Sequence, residues 1–177
     1  MAAYNTNIAT VATSSLTRRV ITWNIANAAR DEDKKPLAER LDDICETIKG
    51  LNPDAIWILE ANRPSQGKSW IEMAFAIEKS TGLKHYGCYK LNATPMSFGK
   101  ALFYNPNTMF ISEVKQHWIS DTPHVPSGNY FGSDVTLSTL MPVVNGKVVI
   151  KPLTVGAVHC PMQRASRMKY CEHLVTL

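Results

Sequence analysis

The apolar residues between positions 20 and 60 change their spacing twice, and this pattern constrains the fold more than any other part of the sequence. Residues 20–25 (VITWNI) are mostly β-branched or aromatic, which is typical of a buried strand. Apolar residues then recur at steps of three or four, as on one face of a helix: Leu37, Leu41, Ile44, Ile48 and Leu51. Residues 55–60 (AIWILE) again favour a buried strand. A strand, a helix and a strand in this order predict a βαβ unit.

The remainder of the chain mixes helix and strand patterns. Helices are predicted over 69–81 and 164–175, and strands over 85–91, 99–104, 109–118, 135–144 and 147–159. Asn145-Gly146 separates the last two strands and predicts a hairpin with a type I′ turn. Parallel and antiparallel pairing in one chain predicts an α+β fold.

The first 18 residues differ in composition from the rest of the chain. Residues 1–17 carry no charge and lack the apolar core of a secretory signal, so a disordered tail is expected. A mitochondrial targeting segment stays open as the alternative, because the first 30 residues hold Arg and Ser but no acid. Residues 19–177 are then expected to form a single domain.

Composition narrows the class of protein further. Apolar residues make up 45% and charged residues 19%, which excludes wholesale disorder. The apolar runs are too short for a membrane span. The 4 cysteines show no paired spacing, so an intracellular, reduced, cytoplasmic protein is expected. The net charge of +4 only slightly favours a polyanionic partner.

Polar residues end three of the expected strands. Asn24 and Glu60 end the two strands of the βαβ unit, and His159 ends the strand that begins near Lys147. The ends of strands are where α/β proteins commonly build sites, because a rigid sheet meets open loops there. Taken singly, each residue fits a structural role better: a turn, a solvated strand end or a boundary histidine.

Asn24, Glu60 and His159 each belong to a short motif, and two further motifs lie between Glu60 and His159 in the sequence. The motifs are TWNIA (22–26), LNPDAIWILE (51–60), GKALFY (99–104), HWISDTPHVP (117–126) and VGAVH (155–159). This series resembles the endonuclease/exonuclease/phosphatase superfamily, whose members read (S/T)WN, PD(I/V)hhLQE, GxAIhY, FWLSxTPxxP and hhxTHh, with h apolar. Leu59 stands where the family usually has Gln. The resemblance covers about residues 19–177.

The resemblance implies a two-layer αββα sandwich of the deoxyribonuclease-I-like type with a metal-dependent phosphoester site at one edge. Glu60 would be the main ligand of Mg²⁺, or of Mn²⁺ in its place, with Asn24 beside the metal or the phosphate. His159 would donate to a phosphate oxygen or to the leaving group, and water would attack phosphorus. Arg63 and Lys100 are weaker candidates for contact with the substrate phosphate, and an ordinary solvated charge is the expected role of both.

The sequence also departs from the family. No GDxN motif and no SDH motif, which position and polarise the water in family members, occurs in the 177 residues. The chain is therefore expected to be the N-terminal part of a domain, a hydrolase completed by a second polypeptide or by self-association. A catalytically inactive remnant that acts as a binding module is the alternative, and an unrelated α+β domain is a third. The phosphate ester could belong to a nucleic acid, a phospholipid or an inositol phosphate.

A zinc site is the rival interpretation of the C-terminal residues. His159, Cys160, Cys171 and His173 have suitable ligand chemistry. Adjacent strand residues point to opposite faces, however, so His159 and Cys160 are poorly placed to share an ion. The spacing matches no zinc finger, and we expect buried cysteines instead.

Overall fold

The computed structural model describes residues 6–13, 16–25, 37–62, 70–89, 99–118, 134–149 and 151–158. Within these ranges the chain forms two helices and nine strands. In chain order they are β1 (Thr6–Thr13), β2 (Leu16–Asn24), α1 (Leu37–Leu51), β3 (Ala55–Asn62), α2 (Trp70–Thr81), β4 (Lys84–Tyr89), β5 (Gly99–Tyr104), β6 (Met109–Trp118), β7 (Asp134–Val144), β8 (Lys147–Val148) and β9 (Leu153–Val158). Neither of these helices is long and apolar enough to cross a membrane.

The first described sheet has five strands in the order β1-β2-β3-β5-β4. β2 and β3 run parallel, with Val20 opposite Ala55 and Asn24 opposite Leu59, and the other pairs are antiparallel. The predicted βαβ unit is therefore confirmed. Its helix ends where Asn52 takes a positive φ of 44° and its N–H donates to the Ile48 carbonyl at 3.0 Å.

Both helices cover one face of this sheet. Their apolar stripes meet the inward side chains of β2, β3 and β5 in a single cluster. Its largest fully buried members are Ile21, Ile25, Ile48, Ile56, Ile58, Met73, Ile77 and Phe103. Removing this apolar surface from water drives the packing, at about 25 cal/mol per Å².

The opposite face of the five-stranded sheet packs on a second sheet. In that sheet, β7 pairs antiparallel with β6 on one side and with β8 and β9 on the other. A second cluster fills the space between the sheets: Val20, Ala55, Trp57, Leu59, Leu102, Met109, Ile111, Leu140 and Ala157. The described layers are thus helices, sheet and sheet, and the α+β sandwich predicted from the sequence is confirmed.

The hairpin at Asn145-Gly146 is also confirmed. Both residues have positive φ, 51° and 72°, as a type I′ turn requires. The strand predicted over 147–159 is instead divided into β8 and β9. Pro152 lies between them and has no N–H to donate to a ladder, and the Lys151 N–H turns back to the Val149 carbonyl at 2.8 Å.

The N-terminal residues differ from the expected tail. Residues 6–13 and 16–18 form β1 and the start of β2, paired antiparallel from Thr6–Trp23 to Thr13–Leu16. The physical reason lies in side-chain type, because β1 (TNIATVAT) is rich in β-branched residues, which favour extended backbone even without charge or aromatic rings. The helix predicted over 164–175 lies outside the described residues.

Candidate active site

The site lies near the carboxyl ends of the parallel strands β2 and β3: Asn24 ends β2 as predicted, whereas β3 continues two residues past Glu60, to Asn62. Parallel strands bring their carboxyl ends to the same edge of a sheet. Asn24 is the last residue of β2, and its partner in the ladder is Leu59, the residue before Glu60. On the other side of β3, Leu59 pairs with Lys100 of β5. Asn24, Leu59 and Lys100 therefore form one row across three strands.

A bulge in β3 directs Glu60. The ladder between β3 and β5 passes from Leu59–Lys100 directly to Asn62–Gly99, so residues 60 and 61 have no partners in it. Glu60 has φ of 59°, in the left-handed region, which costs a non-glycine residue about 1–2 kcal/mol. Strained backbone of this kind is concentrated at functional sites.

The bulge changes which residue faces the helices. Regular alternation would place Glu60 beside Ile58, in the apolar cluster under the helices. Ala61 belongs to that cluster instead, with 1% of its surface exposed. The left-handed residue thus removes a carboxylate from an apolar core and leaves it at the sheet edge.

Asn24 holds the Glu60 carboxylate. The Asn24 Nδ2 donates to Glu60 Oε1 at 2.8 Å, and only 8% of Glu60 is exposed. A buried carboxylate is costly unless hydrogen bonds compensate for its lost water. A hydrogen bond to a charged group contributes about 1.5–3 kcal/mol, so Asn24 both stabilises and orients this carboxylate.

Helix α1 fixes the end of β2. Arg40 of α1 donates from Nη1 to the carbonyl of Ile25 at 2.9 Å. The Ile25 N–H donates in turn to the Leu59 carbonyl at 3.4 Å. The backbone that follows Asn24 is therefore held from both sides, by the helix and by β3.

Lys100 requires a correction to the sequence analysis. It was expected to be a solvated charge, or else to touch the substrate phosphate, but only 2% of it is exposed. Its ammonium binds the Asp134 carboxylate and also the Asp134 carbonyl, the latter at 2.8 Å. Burial lowers the pKa of the Lys100 ammonium, and the Asp134 carboxylate acts in the opposite direction. A charge enclosed in this way is not presented to a substrate.

Two further polar groups between the sheets escaped the sequence analysis. Thr136 and Ser138 follow Asp134 on the inner face of β7, and both are fully buried. Thr136 Oγ1 donates to Asp134 Oδ2 at 3.3 Å, while Ser138 accepts from Trp57 Nε1 and donates to the Val155 carbonyl, both at 3.2 Å. The alternation in DVTLST would normally place the polar residues outward, so the sequence held no signal for this arrangement.

The side chains at the strand ends fit a hard divalent cation. Glu60 and Asn24 supply carboxylate and amide oxygens, the donors that Mg²⁺ prefers, and Mg²⁺ keeps several waters when few protein ligands hold it. Within the described ranges, no three His, Cys, Asp or Glu side chains are grouped closely enough to hold an ion. Of the remaining candidates, His159 and Arg63 lie outside the described residues. The same is true of Cys160, Cys171 and His173.

Among the comparisons with known proteins, only the search of solved structures found similar proteins. No protein-family sequence model and no curated protein sequence matches the chain. Among solved structures, an endonuclease/exonuclease/phosphatase from Bacteroides vulgatus aligns with a TM-score of 0.67 at 13% identity, over 90% of this chain and 59% of that one.

Two further structures carry named proteins of similar fold. A mannosyl-6-phosphatase from Bacteroides thetaiotaomicron aligns with a TM-score of 0.62 at 16% identity, over 89% of this chain and 57% of that one. TDP2 of D. rerio, complexed with single strand DNA product, aligns with a TM-score of 0.58 at 13% identity, over 89% and 52%.

These comparisons test the resemblance that the motifs indicated. The chain spans less than two thirds of the length of each of these three structures. At such low identities, the likeness concerns the fold. The chain has the fold of the endonuclease/exonuclease/phosphatase proteins, as its sequence motifs predicted.

Proposed function

We propose that this chain is part of a Mg²⁺-dependent phosphoester hydrolase, with phosphodiesters as its substrate class. The observation that carries the proposal is the buried Glu60 carboxylate, held at the bulge near the end of β3 and hydrogen-bonded by Asn24. A buried carboxylate on strained backbone at a bulge is costly for a fold, and a cation site is a reason to keep it. A mannosyl-6-phosphatase and a protein complexed with DNA product, both of similar fold, support a phosphate ester as substrate.

The residues of the chain take distinct roles in the proposed reaction, in which water attacks phosphorus. Glu60 holds the cation, and Asn24 fixes the orientation of the Glu60 carboxylate. A cation held by Glu60 would supply positive charge to offset the negative charge of the phosphate. On its motif alone, His159 is proposed to donate a hydrogen bond to a phosphate oxygen or to assist the departure of the leaving group.

The groups that orient the attacking water are proposed to come from outside these 177 residues. The GDxN and SDH motifs do not occur in the sequence. Further chain, a second copy or a second polypeptide are the three candidate sources. Because positioning and general-base catalysis each contribute orders of magnitude to a rate, the chain alone is expected to hydrolyse phosphodiesters slowly.

The test combines metal binding with turnover. Mn²⁺ binding is measured by calorimetry, and hydrolysis of bis-p-nitrophenyl phosphate is followed by absorbance in Mg²⁺ or Mn²⁺. Glu60→Gln removes the charge and keeps the shape. Glu46→Gln, at an exposed position of α1 where Glu46 pairs with Lys49, is the matched control.

Each outcome decides between the hypotheses. Weak Mn²⁺ binding, with Kd on the order of 1 mM, lost in Glu60→Gln and kept in Glu46→Gln, is the expected result. Slow turnover with the same dependence on Glu60 supports the hydrolase. Binding at Glu60 without turnover, even when the candidate completing chain is added, favours the non-catalytic module. Binding that is indifferent to Glu60 overturns the proposed site.

A further inference from the structure

The Lys100–Asp134 pair is a buried polar connection between the two sheets, as is the hydrogen bond from Trp57 to Ser138. Lys100 belongs to β5 of the five-stranded sheet, and Asp134 is the first residue of β7 in the other. The ammonium donates both to the carboxylate and to the carbonyl of Asp134. Two acceptors on one residue fix the position of the donor, which a single contact or an apolar contact does not.

Asp134 is itself held in place by a further hydrogen bond. Thr136 donates its hydroxyl to Asp134 Oδ2 at 3.3 Å, and both residues are buried. Buried ion pairs seldom improve stability over apolar side chains of the same size, because removing two charges from water is costly. A role in fixing geometry is therefore the better explanation for its presence here.

The position of Lys100 in the ladder connects this pair to the candidate site. Lys100 pairs with Leu59, at the last regular step before the bulge that contains Glu60. Leu59 also pairs with Asn24, and its carbonyl accepts the Ile25 N–H. Leu59 therefore connects the backbone of Lys100 to Asn24, its partner in the ladder, and to Glu60, its neighbour in the chain.

We propose that Lys100, held by Asp134, is a positioning residue. It fixes the position of β5 relative to the second sheet and thereby the geometry of the Asn24–Glu60 hydrogen bond. This inference deepens the proposed function and rests on it for its relevance to catalysis. The effect of Lys100 on the Asn24–Glu60 hydrogen bond does not depend on a bound ion, since it concerns the geometry of two side chains.

The experiment uses the 177-residue chain with both charges removed. Lys100→Met/Asp134→Asn keeps the volumes and leaves an oxygen to accept from Thr136. The matched control is Lys115→Met/Glu113→Gln, which removes an exposed ion pair of β6 whose atoms are 2.9 Å apart. Solvent exchange of the Asn24 side-chain amide protons is measured by NMR, and Mn²⁺ affinity is measured by calorimetry.

The expected result is a rise of about fivefold in the Asn24 exchange rate in Lys100→Met/Asp134→Asn, the size of one weakened hydrogen bond. A fall of Mn²⁺ affinity by a similar factor accompanies it, and the control changes neither quantity. An exchange rate equal to that of the wild type overturns the inference, whatever happens to the affinity. If Glu60→Gln does not affect Mn²⁺ binding, the proposed function fails, while the exchange rate still decides the role of Lys100.

A second variant covers the case in which the charge-free pair does not fold. Thr136→Val removes only the hydroxyl that donates to Asp134. A rise of about twofold in the Asn24 exchange rate is expected, because the carboxylate loses one of its fixed partners. An unchanged rate in this variant overturns the inference.

Discussion

At the scale of single residues, Glu60 combines two features that each lower the stability of the fold: a left-handed backbone conformation and a buried charge. Replacing it separates the two contributions. Glu60→Gly is expected to be more stable than Glu60→Ala by about 1 kcal/mol, because only alanine carries a Cβ into the left-handed region. Urea unfolding of the two variants measures the difference. Equal stability, or a more stable alanine variant, would show that the bulge relaxes once the carboxylate is removed.

His85 provides a residue-scale prediction about pH. Burial lowers the pKa of its imidazole from the ordinary value of 6.5, and the nearby Glu78 carboxylate raises it by less. The unfolded chain therefore binds the proton more tightly, so this contribution to stability is present above pH 6.5 and is lost as the pH falls through the folded pKa.

The measurement for His85 is urea unfolding at neutral and mildly acidic pH. The free energy of unfolding should fall less on acidification in His85→Leu than in the wild type. The same fall in both proteins would contradict this role of His85. Contact of the imidazole with Phe103, at 5.0 Å between ring centroids, makes a loss of stability at neutral pH an expected side effect of the variant.

Residue types in the sequence predicted Asn24 at the end of β2, but they placed Glu60 at the end of a strand that in fact continues to Asn62, and they held no signal for the contact between the two side chains. The contact depends on the bulge, and nothing in AIWILE announces that Glu60 takes a positive φ. Lys100 could not be assigned either, because its partner Asp134 is 34 residues away and the pairing depends on how two sheets meet. Such tertiary pairings leave no local signal.

At the scale of elements, turns and helices followed local rules closely. The predicted helix face from Leu37 to Leu51 coincides with α1, since the spacing of apolar residues is a local property. β1 was missed because it has neither charge nor aromatic residues, and its pairing with β2 is what defines it. Pro152 marks the break between β8 and β9, because it has no N–H to donate to a ladder.

Two glycine substitutions, one in the hairpin turn and one in α1, are expected to change the stability of the protein in opposite directions. Gly146 has φ of 72° and Gly50 lies in α1, and a Cβ added at either would meet nothing within 4 Å. Gly146→Ala should therefore lose about 1 kcal/mol from backbone strain alone. Gly50→Ala should gain about 0.5–1 kcal/mol from helix propensity.

Thermal or urea unfolding compares the two glycine variants with the wild type. Because neither substitution creates a clash, opposite changes in the free energy of unfolding would be due to backbone conformation alone. A Gly146→Ala protein as stable as the wild type would mean that the hairpin turn does not require a left-handed residue at that position.

At the scale of the whole molecule, the described parts of the two sheets are joined by an apolar cluster, by the buried Lys100–Asp134 ion pair and by the Trp57–Ser138 hydrogen bond. Removing a single partner should be far worse than removing both. Asp134→Ala leaves a buried ammonium without its carboxylate and should cost about 3–5 kcal/mol.

The double variant Lys100→Met/Asp134→Asn should recover most of that loss, to within about 1 kcal/mol of the wild type. Urea unfolding of the wild type, the single variant and the double variant measures this. A double variant as unstable as Asp134→Ala would show that the pair itself, rather than an uncompensated charge, stabilises the sandwich.

The most direct test of the central claim locates the cation on the molecule. Substoichiometric Mn²⁺ is added to the ¹⁵N-labelled chain, and its paramagnetic broadening of amide signals is recorded by NMR. We predict that the signals of Asn24, Ile25 and Glu60 broaden first, and that Glu60→Gln abolishes this broadening while Glu46→Gln preserves it. Broadening centred elsewhere, or unchanged in Glu60→Gln, would contradict the assignment of this strand edge as the metal and phosphoester site.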